Sequence, residues 1–376
     1  MRLGRRRGTT TTPPRPPAVL VVLEQPWHSM MQLAAGARRH GLHAVHVGPT
    51  NGRDERLMVA LVFGGTTTVD ALVRGGERPW TAVDAQGRDV DVVALARRAD
   101  EAAATVPEAA VLDNAARLAD KLAVSRTLAG HGVPVPAVLD ASTDPAVAAE
   151  SLGVPFFVKE RVGAGGTGVH LVDDAEQARD LVTRLGTDAT FFEAAVDGET
   201  VQYCAAHADG RVILDVVAHT AARTGNMPAS ELELLDDPAV RAVGRATVEA
   251  LGGRGLVNLD VLRTPEGGAY VVDVNARAWD SLVPLRRLGF DFVHAYAEAL
   301  GVRPVGSTPI PSPKPGSRIR SFPGPLLGEA PHLGWLRLAG RATREAWPFL
   351  RWLGPRYVLH VAWLTVLAKR SARHRT

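Results

Sequence analysis

The stretch Val257–Ser281, VNLDVLRTPEGGAYVVDVNARAWDS, decides how the rest of the chain is read. Two apolar or alternating runs, Leu256 to Leu262 and Ala269 to Val274, flank the turn-forming Thr264-Pro265-Glu266-Gly267-Gly268, so the spacing predicts an antiparallel hairpin. Alternation along the second strand sends Asp273, Asn275 and Arg277 to one face, and pairing across the ladder brings Asp260 beside them. Oxygen donors in that number suit Mg²⁺, which takes one or two carboxylates and completes its shell with water or phosphate oxygens. The adjacent Arg277 suits the phosphate side, because its planar fork bonds two oxygens at once. A hairpin with a merely solvated polar face carries the same pattern, so the choice rests on residues upstream.

Upstream, Val154–Val172 reads VPFFVKERVGAGGTGVHLV. Gly163, Gly165 and Gly168 satisfy GxGxxG, but a dinucleotide fingerprint needs a helix to open after the last glycine. Val-His-Leu-Val follows instead, a strand, so the loop is the tip of a hairpin. It is not a P-loop either, because no Gly-Lys-Ser/Thr follows. Backbone N–H groups of a hairpin that includes Gly166 and Thr167 can cover phosphates, and Lys159 on the incoming strand reaches the same place. A plain surface hairpin is the alternative. Lysine usage weighs against it: the chain has 43 basic residues but only four lysines, Lys121, Lys159, Lys314 and Lys369, so an ammonium kept inside the folded body is informative.

The 376 residues suffice for two or three subdomains with proper cores, and 46% hydrophobic content is ordinary for a globular protein. The single Cys204 excludes an internal disulfide framework and a multi-cysteine metal site, and fits a reducing, cytoplasmic setting. Net charge is +3, unevenly spread: residues 1–17 carry +5 and residues 337–376 carry +8, leaving −10 on residues 18–336. Nucleic-acid binders carry their basic stripe on the folded body, so this imbalance argues against one.

In chain order, residues 1–17 are an Arg/Thr/Pro-rich tail expected to be disordered. The apolar run that follows is too short for a signal segment. Strand 18–23, helix 30–40 and strand 43–47 form a parallel-sheet unit, followed by a strand at 58–63 and a glycine turn at 64–68. Helices are expected at 91–104, 114–130, 175–185, 237–251 and 291–300, and strands at 190–196, 200–206 and 212–219. Residues 221–234 read as a loop and 302–317 as a Pro-rich linker. The Trp/Arg-rich end holds an apolar helix at 357–368, too short to span a bilayer. It is expected to pack on the body or a second subunit, with a basic interfacial helix as the alternative.

The order of these features resembles the ATP-grasp superfamily. The matching pieces are Asp120-Lys121 before His-Gly-Val-Pro-Val-Pro, Lys159 before the glycine hairpin, Glu193 and Glu199 flanking Asp-Gly, and Asp260 followed by Asp273-Val-Asn275-Ala-Arg277. The last piece is similar to the family's Glu-hydrophobic-Asn-Pro-Arg signature, and its Ala-Trp-Asp-Ser continuation to the carbamoyl-phosphate-synthetase-like branch. The resemblance implies an α/β (α+β) ATP-grasp fold: an N-terminal α/β preliminary domain at 18–115, an ATP-grasp domain at 116–301 split into 116–189 and 190–301, and a C-terminal helical extension at 318–376.

It further implies that Lys121 and Lys159 bind ATP phosphates under the 163–168 loop, that Glu193, Ala194, Ala195 and Val196 meet the adenine, and that Glu199 meets the ribose. Asp260, Asp273 and Asn275 would hold Mg²⁺ or Mn²⁺, and Arg277 with Lys159 would act on the transferred phosphoryl. Arg277, Trp279, Asp280 and Ser281, with Arg223 on the 221–228 loop, would line the acceptor pocket. The implied activity is an ATP-dependent carboxylate-amine ligase working through an acyl phosphate, with a small-molecule carboxylate and an amine, an amino acid or peptide, as partners. A kinase or carbamoyl-phosphate-type enzyme, or a non-catalytic nucleotide-binding scaffold, are the rivals. Asp273 replaces the family's Glu, Ala276 its Pro, and Asp280 a Gly.

Overall fold

The computed structural model describes residues 18–23, 28–37, 43–47, 56, 59–60, 62–63, 66–67, 78–81, 118, 120–163, 168–223, 229–276, 278–279, 281–299, 309–312 and 314–371. The 1–17 tail, the Gly64-Gly65 turn and the helix expected at 91–104 lie outside them.

At the N-terminal end, β1 (Ala18–Leu23) and β2 (His43–Val47) pair in parallel, with α1 (His28–Ala37) as the crossover between them. β3 (Thr66–Thr67) and β4 (Arg78–Thr81) complete a sheet of order β3-β2-β1-β4. The strand expected at 58–63 is corrected to a helical turn. Phe63 donates its N–H to Val59 O at 2.8 Å, and the buried residues there, Val59, Val62 and Phe63, recur at three and four positions, a helical period that overrides their strand propensity.

The helix expected over 114–130 is broken at Asp120, whose backbone leaves the helical region (φ −87°, ψ 102°) so that its carboxylate caps α2 (Lys121–Gly130) by accepting the Ala123 N–H at 3.1 Å. A four-stranded antiparallel sheet follows, of order β5-β8-β6-β7: β5 (Val138–Asp140), β6 (Phe156–Glu160), β7 (Val169–Val172) and β8 (Thr190–Ala194). β6 and β7 form the hairpin around the glycine loop. Helices α3 (Pro145–Leu152) and α4 (Ala175–Leu185) cover this sheet over Phe156, Val158, Val172 and Phe192. β8, which the sequence reading grouped with the following half, pairs here with β5 and β6.

The larger sheet has order β13-β12-β9-β10-β11-β14, all antiparallel. Its strands are β9 (Glu199–Ala208), β10 (Arg211–Arg223), β11 (Ala229–Leu235), β12 (Arg254–Arg263), β13 (Ala269–Asn275) and β14 (Arg318–Arg320). It is buried on both faces, which explains why β9 is apolar at odd and even positions alike. Val201, Tyr203 and Ala205 pack under α2 and α5 (Pro238–Leu251), while Cys204 and Ala206 belong to the core shared with α1 and α6 (Phe292–Ala299). The loop expected at 221–234 is corrected: β10 runs on to Arg223, and in β11 Leu232 and Leu234 are buried while Glu231 and Glu233 alternate with them. Residues 224–228 lie outside the described set.

β14 pairs with β11 at the sheet edge, followed by α7 (Gly324–Glu329) and α8 (Trp335–Ser371), a helix interrupted at Gly354 (φ 80°, ψ 167°). The helix expected at 357–368 is the second part of this longer helix, and its Val361 is buried in the core; ahead of Gly354, Leu338, Ala346 and Phe349 are buried there too, with Phe349 stacked on Phe322 at 4.4 Å. Among the described residues no helix is long and apolar enough to cross a membrane.

Candidate functional site

The hairpin puts its polar residues where alternation places them. Asp260 stands opposite Asp273 and Asn258 opposite Asn275. Asn275 donates its Nδ2 to Asp273 Oδ2 at 3.3 Å, so the two share a face. Below Asp260 the register slips: Val261 faces Val271, and Val272 is the extra residue of a β-bulge. A bulge disrupts the ladder and turns backbone groups outward. Here the Val272 carbonyl accepts from Lys159 Nζ at 3.5 Å.

Lys159 comes from β6 and is 7% exposed. Its ammonium donates to Glu193 Oε1 at 2.5 Å and lies 5.7 Å from the Phe157 ring centre. Glu193 sits diagonally across the β6–β8 ladder, since Phe157 pairs with Glu193 and Lys159 with Phe191. Burial raises the Glu193 pKa above its ordinary value, against the pull of the Lys159 charge, with Asp273 adding to the rise. Glu193 is thus the counter-ion of Lys159, a role the sequence reading did not assign. It follows from the register of β6 against β8, which no local sequence pattern announces.

Lys121 arrives from α2, and its Nζ is 3.2 Å from Asp273 Oδ1. Its position at the helix start is fixed from both sides. Asp120 caps the helix and takes the Arg161 guanidinium, while the Lys121 N–H donates to Arg161 O at 2.8 Å. Burial pushes the Asp120 carboxyl up, but the Arg161 hydrogen bond and charge and the Ala123 and Leu122 amides outweigh it and hold the group below its usual range. Arg161, which sequence reasoning passed over, therefore positions Lys121. Two elements, α2 and β6, deliver one ammonium each to adjoining residues of β13, Asp273 and Val272.

The remaining expected residues are spread around this centre. Ala194 ends β8 with its N–H on Ala137 O at 2.9 Å, and Ala195 and Val196 belong to the connector between the two sheets. The connector ends at Gly198, where a Cβ would stand 2.8 Å from Arg263 O. Glu199 opens β9, pairs with the Arg263 guanidinium and lies 3.9 Å from His219 Nδ1. Gly163 and Gly168 bound the β6–β7 loop, and Gly168 O accepts the Glu160 N–H at 2.8 Å. Gly165, Gly166, Thr167, Arg277 and Asp280 lie outside the described residues. The Arg223 backbone pairs with Ala229.

Trp279 and Ser281 are buried in this structure. Trp279 packs edge-to-face on Phe292 at 5.0 Å, and Ser281 O accepts the Leu285 N–H at 2.9 Å. The indole Nε1 of Trp279 has no hydrogen-bond partner among the described residues.

Among the described residues no three acidic, His or Cys side chains gather as a self-sufficient metal cage. Two opposed carboxylates and an amide fit Mg²⁺ when water and phosphate oxygens supply the rest of its shell.

Comparison with known proteins bears on the fold that holds these residues. Residues 118–281 match the family described as ATP-grasp domain. The y4rH protein of Sinorhizobium fredii is 27% identical over 324 residues, which cover 77% of this chain and 64% of that protein, so the match spans less than two thirds of that curated relative. Among solved structures, the carboxyaminoimidazole ribonucleotide synthase of Aspergillus clavatus complexed with ATP is similar with a TM-score of 0.61 at 12% identity, covering 77% of this chain and 78% of that one. The N5-carboxyaminoimidazole synthetase of Staphylococcus aureus complexed with ADP gives 0.61 at 16% identity, covering 77% and 79%. Biotin carboxylase of Campylobacter jejuni gives 0.56 at 13% identity, covering 77% and 72%. These similarities concern the fold, and with the family match they lead to one conclusion: the chain carries an ATP-grasp domain over residues 118–281.

Proposed function

We propose that the chain is an ATP-dependent ligase that activates a small carboxylate as an acyl phosphate and joins it to an amine, an amino acid or peptide, releasing ADP and phosphate. One observation carries this reading: two of the four lysines, Lys121 and Lys159, converge on Val272–Asp273 beside Asn275 and opposite Asp260. Stability does not call for that arrangement. A buried Lys–Glu pair costs desolvation that an apolar pair of the same volume avoids.

In this reading Lys159, anchored by Glu193, and Lys121, placed by Asp120 and Arg161, bind the phosphates of ATP beneath the 163–168 loop. Two of the structural neighbours were solved with ATP and ADP. Lys121 exchanges Asp273 for a phosphate, so its charge stays compensated throughout. Asp260, Asp273 and Asn275 would hold Mg²⁺ or Mn²⁺, which when bound neutralises phosphate charge. The sheet-to-sheet connector with Ala195 and Val196 faces the base, Glu199 the ribose, and Arg277 the transferred phosphoryl. Arg223, Trp279, Asp280 and Ser281 belong to the acceptor side. Positioning and charge neutralisation do most of the work in such a transfer.

A second reading, nucleotide binding without turnover, draws on the Asp273 arm, one methylene shorter than the family's Glu and already engaged by Lys121. ADP release measured with Mg-ATP, a panel of carboxylates and hydroxylamine as surrogate amine separates the two. Carboxylate-dependent ADP with hydroxamate supports the ligase. AMP and pyrophosphate contradict the acyl phosphate, and ATP binding with no product from any acid favours the second reading.

A further inference from the structure

The C-terminal helix α8 is only half accounted for by its packing. Gly354 takes a backbone conformation suited to glycine alone and divides it into two arms. One face of each arm enters the core through Leu338, Ala346, Phe349 and Val361. Large apolar side chains are exposed on the solvent side of each arm as well. On the first arm Leu336 (91% exposed), Thr343 and Trp347 (69%) recur at helical spacing, and on the second Leu359 (64%), Ala362 and Trp363 (38%) do the same.

The two stripes are continuous, because Trp347 and Ala362 line one cleft between the arms, with Ala346, Leu350 and Val361 beneath. The cleft has a volume of about 180 Å³, lined almost wholly by apolar atoms. That exceeds the roughly 150 Å³ of an engineered apolar cavity known to stay dry and take up benzene. Such a surface is unfavourable in water.

Charge identifies what covers it. Residues 337–376 carry eight Arg and one Lys against one Glu, whereas residues 18–336 carry a net −10. Arg337 and Arg344 are exposed on the same arm as Trp347. Exposed Trp and Leu flanked by Arg is the composition of a helix that lies in the headgroup region of an anionic bilayer, where indoles sit at the boundary and guanidiniums meet lipid phosphates. No described helix can span a bilayer, so attachment would be to one leaflet. The acidic body would be repelled by the same surface, which orients the molecule with α8 inward. We infer that the outer face of α8 is a monotopic docking surface for an anionic membrane, the apolar cleft between its arms receiving the end of a lipid chain.

The test is co-sedimentation of the full chain with vesicles of phosphatidylcholine alone and with vesicles of phosphatidylcholine mixed equally with phosphatidylglycerol. Binding at least about tenfold tighter to the anionic vesicles, weakened by salt, is expected. Leu359→Ser with Trp363→Ser, which leaves the charge unchanged, and Arg337→Gln with Arg344→Gln should each reduce that binding at least about fivefold. All four positions are exposed, so unchanged thermal unfolding serves as the folding control. Brominated lipid should quench the tryptophan emission of the bound protein. Equal binding to both vesicle types, no binding, or Ser variants that bind like the parent would overturn the inference. A concentration-dependent dimer abolished by the Ser variants, without vesicle binding, would assign the face to a second copy and overturn it too.

Discussion

Lys159 and Lys121 differ in what holds them. The Lys159–Glu193 pair is buried on both sides, with side-chain exposures of 8% and 3%, whereas Lys121 and Asp273 are 18% and 26% exposed. Lys159→Met alone strands a buried carboxylate and is expected to cost about 3–5 kcal/mol in urea unfolding, most of it recovered when Glu193→Gln is added. Lys121→Met breaks a partly solvated pair and should cost no more than about 1 kcal/mol. His207 adds a dependence on acid. Burial lowers the His207 pKa to about 4, from an ordinary value of 6.5. The unfolded chain takes up this proton as pH falls through 6.5 and the folded chain only near 4, so stability is lost as pH drops across that window. The contribution is about 3 kcal/mol, and His207→Leu should flatten the urea midpoint between those pH values.

Helix α5 meets β9 through Gly244, where a Cβ would lie 2.4 Å from the buried Tyr203 ring. Tyr203 cannot retreat easily, because its hydroxyl donates to Asp215 at 3.1 Å. Gly244→Ala therefore sets a helix-propensity gain of about 1 kcal/mol against an overpacking cost of about 1–3 kcal/mol. A lower urea midpoint is the expected outcome. At this scale the sequence was readable where period and punctuation agree. The β12–β13 hairpin announced itself through alternation around Pro265-Glu-Gly-Gly, and α4 and α5 through Asp174 and Asp237, whose carboxylates cap them. β11 was missed because Gly225-Asn-Met-Pro228 masks a four-residue Glu-Leu-Glu-Leu alternation. The helical turn at Val59–Phe63 was missed because β-branched and aromatic residues hide a short helical period. The bulge at Val272 and the counter-ion role of Glu193 depend on register between strands far apart in the chain, which no local pattern carries.

Across the whole molecule the large sheet is clasped from both ends of the chain. Helix α1 approaches α6 at Gly36, where a Cβ would be 3.1 Å from the Val293 side chain, and Gln32 donates its Nε2 to Phe322 O at 2.5 Å. α8 is tied back by Arg320 and Arg341, both of which engage Glu329 and Glu345. Arg320 lies on β14, at the edge of the large sheet opposite β13. Glu329→Ala with Glu345→Ala should speed hydrogen exchange throughout α8 while leaving exchange in β6 and β13 unchanged. The central claim is that Lys121 and Lys159 meet at β13 to bind a nucleotide triphosphate. Its most direct test is calorimetric titration of Mg-ATP into the parent protein, Lys121→Met and Lys159→Met/Glu193→Gln. Affinity at least about tenfold weaker in each variant, a loss of about 1.4 kcal/mol or more, is the predicted result. Parent-like affinity in both folded variants would contradict it.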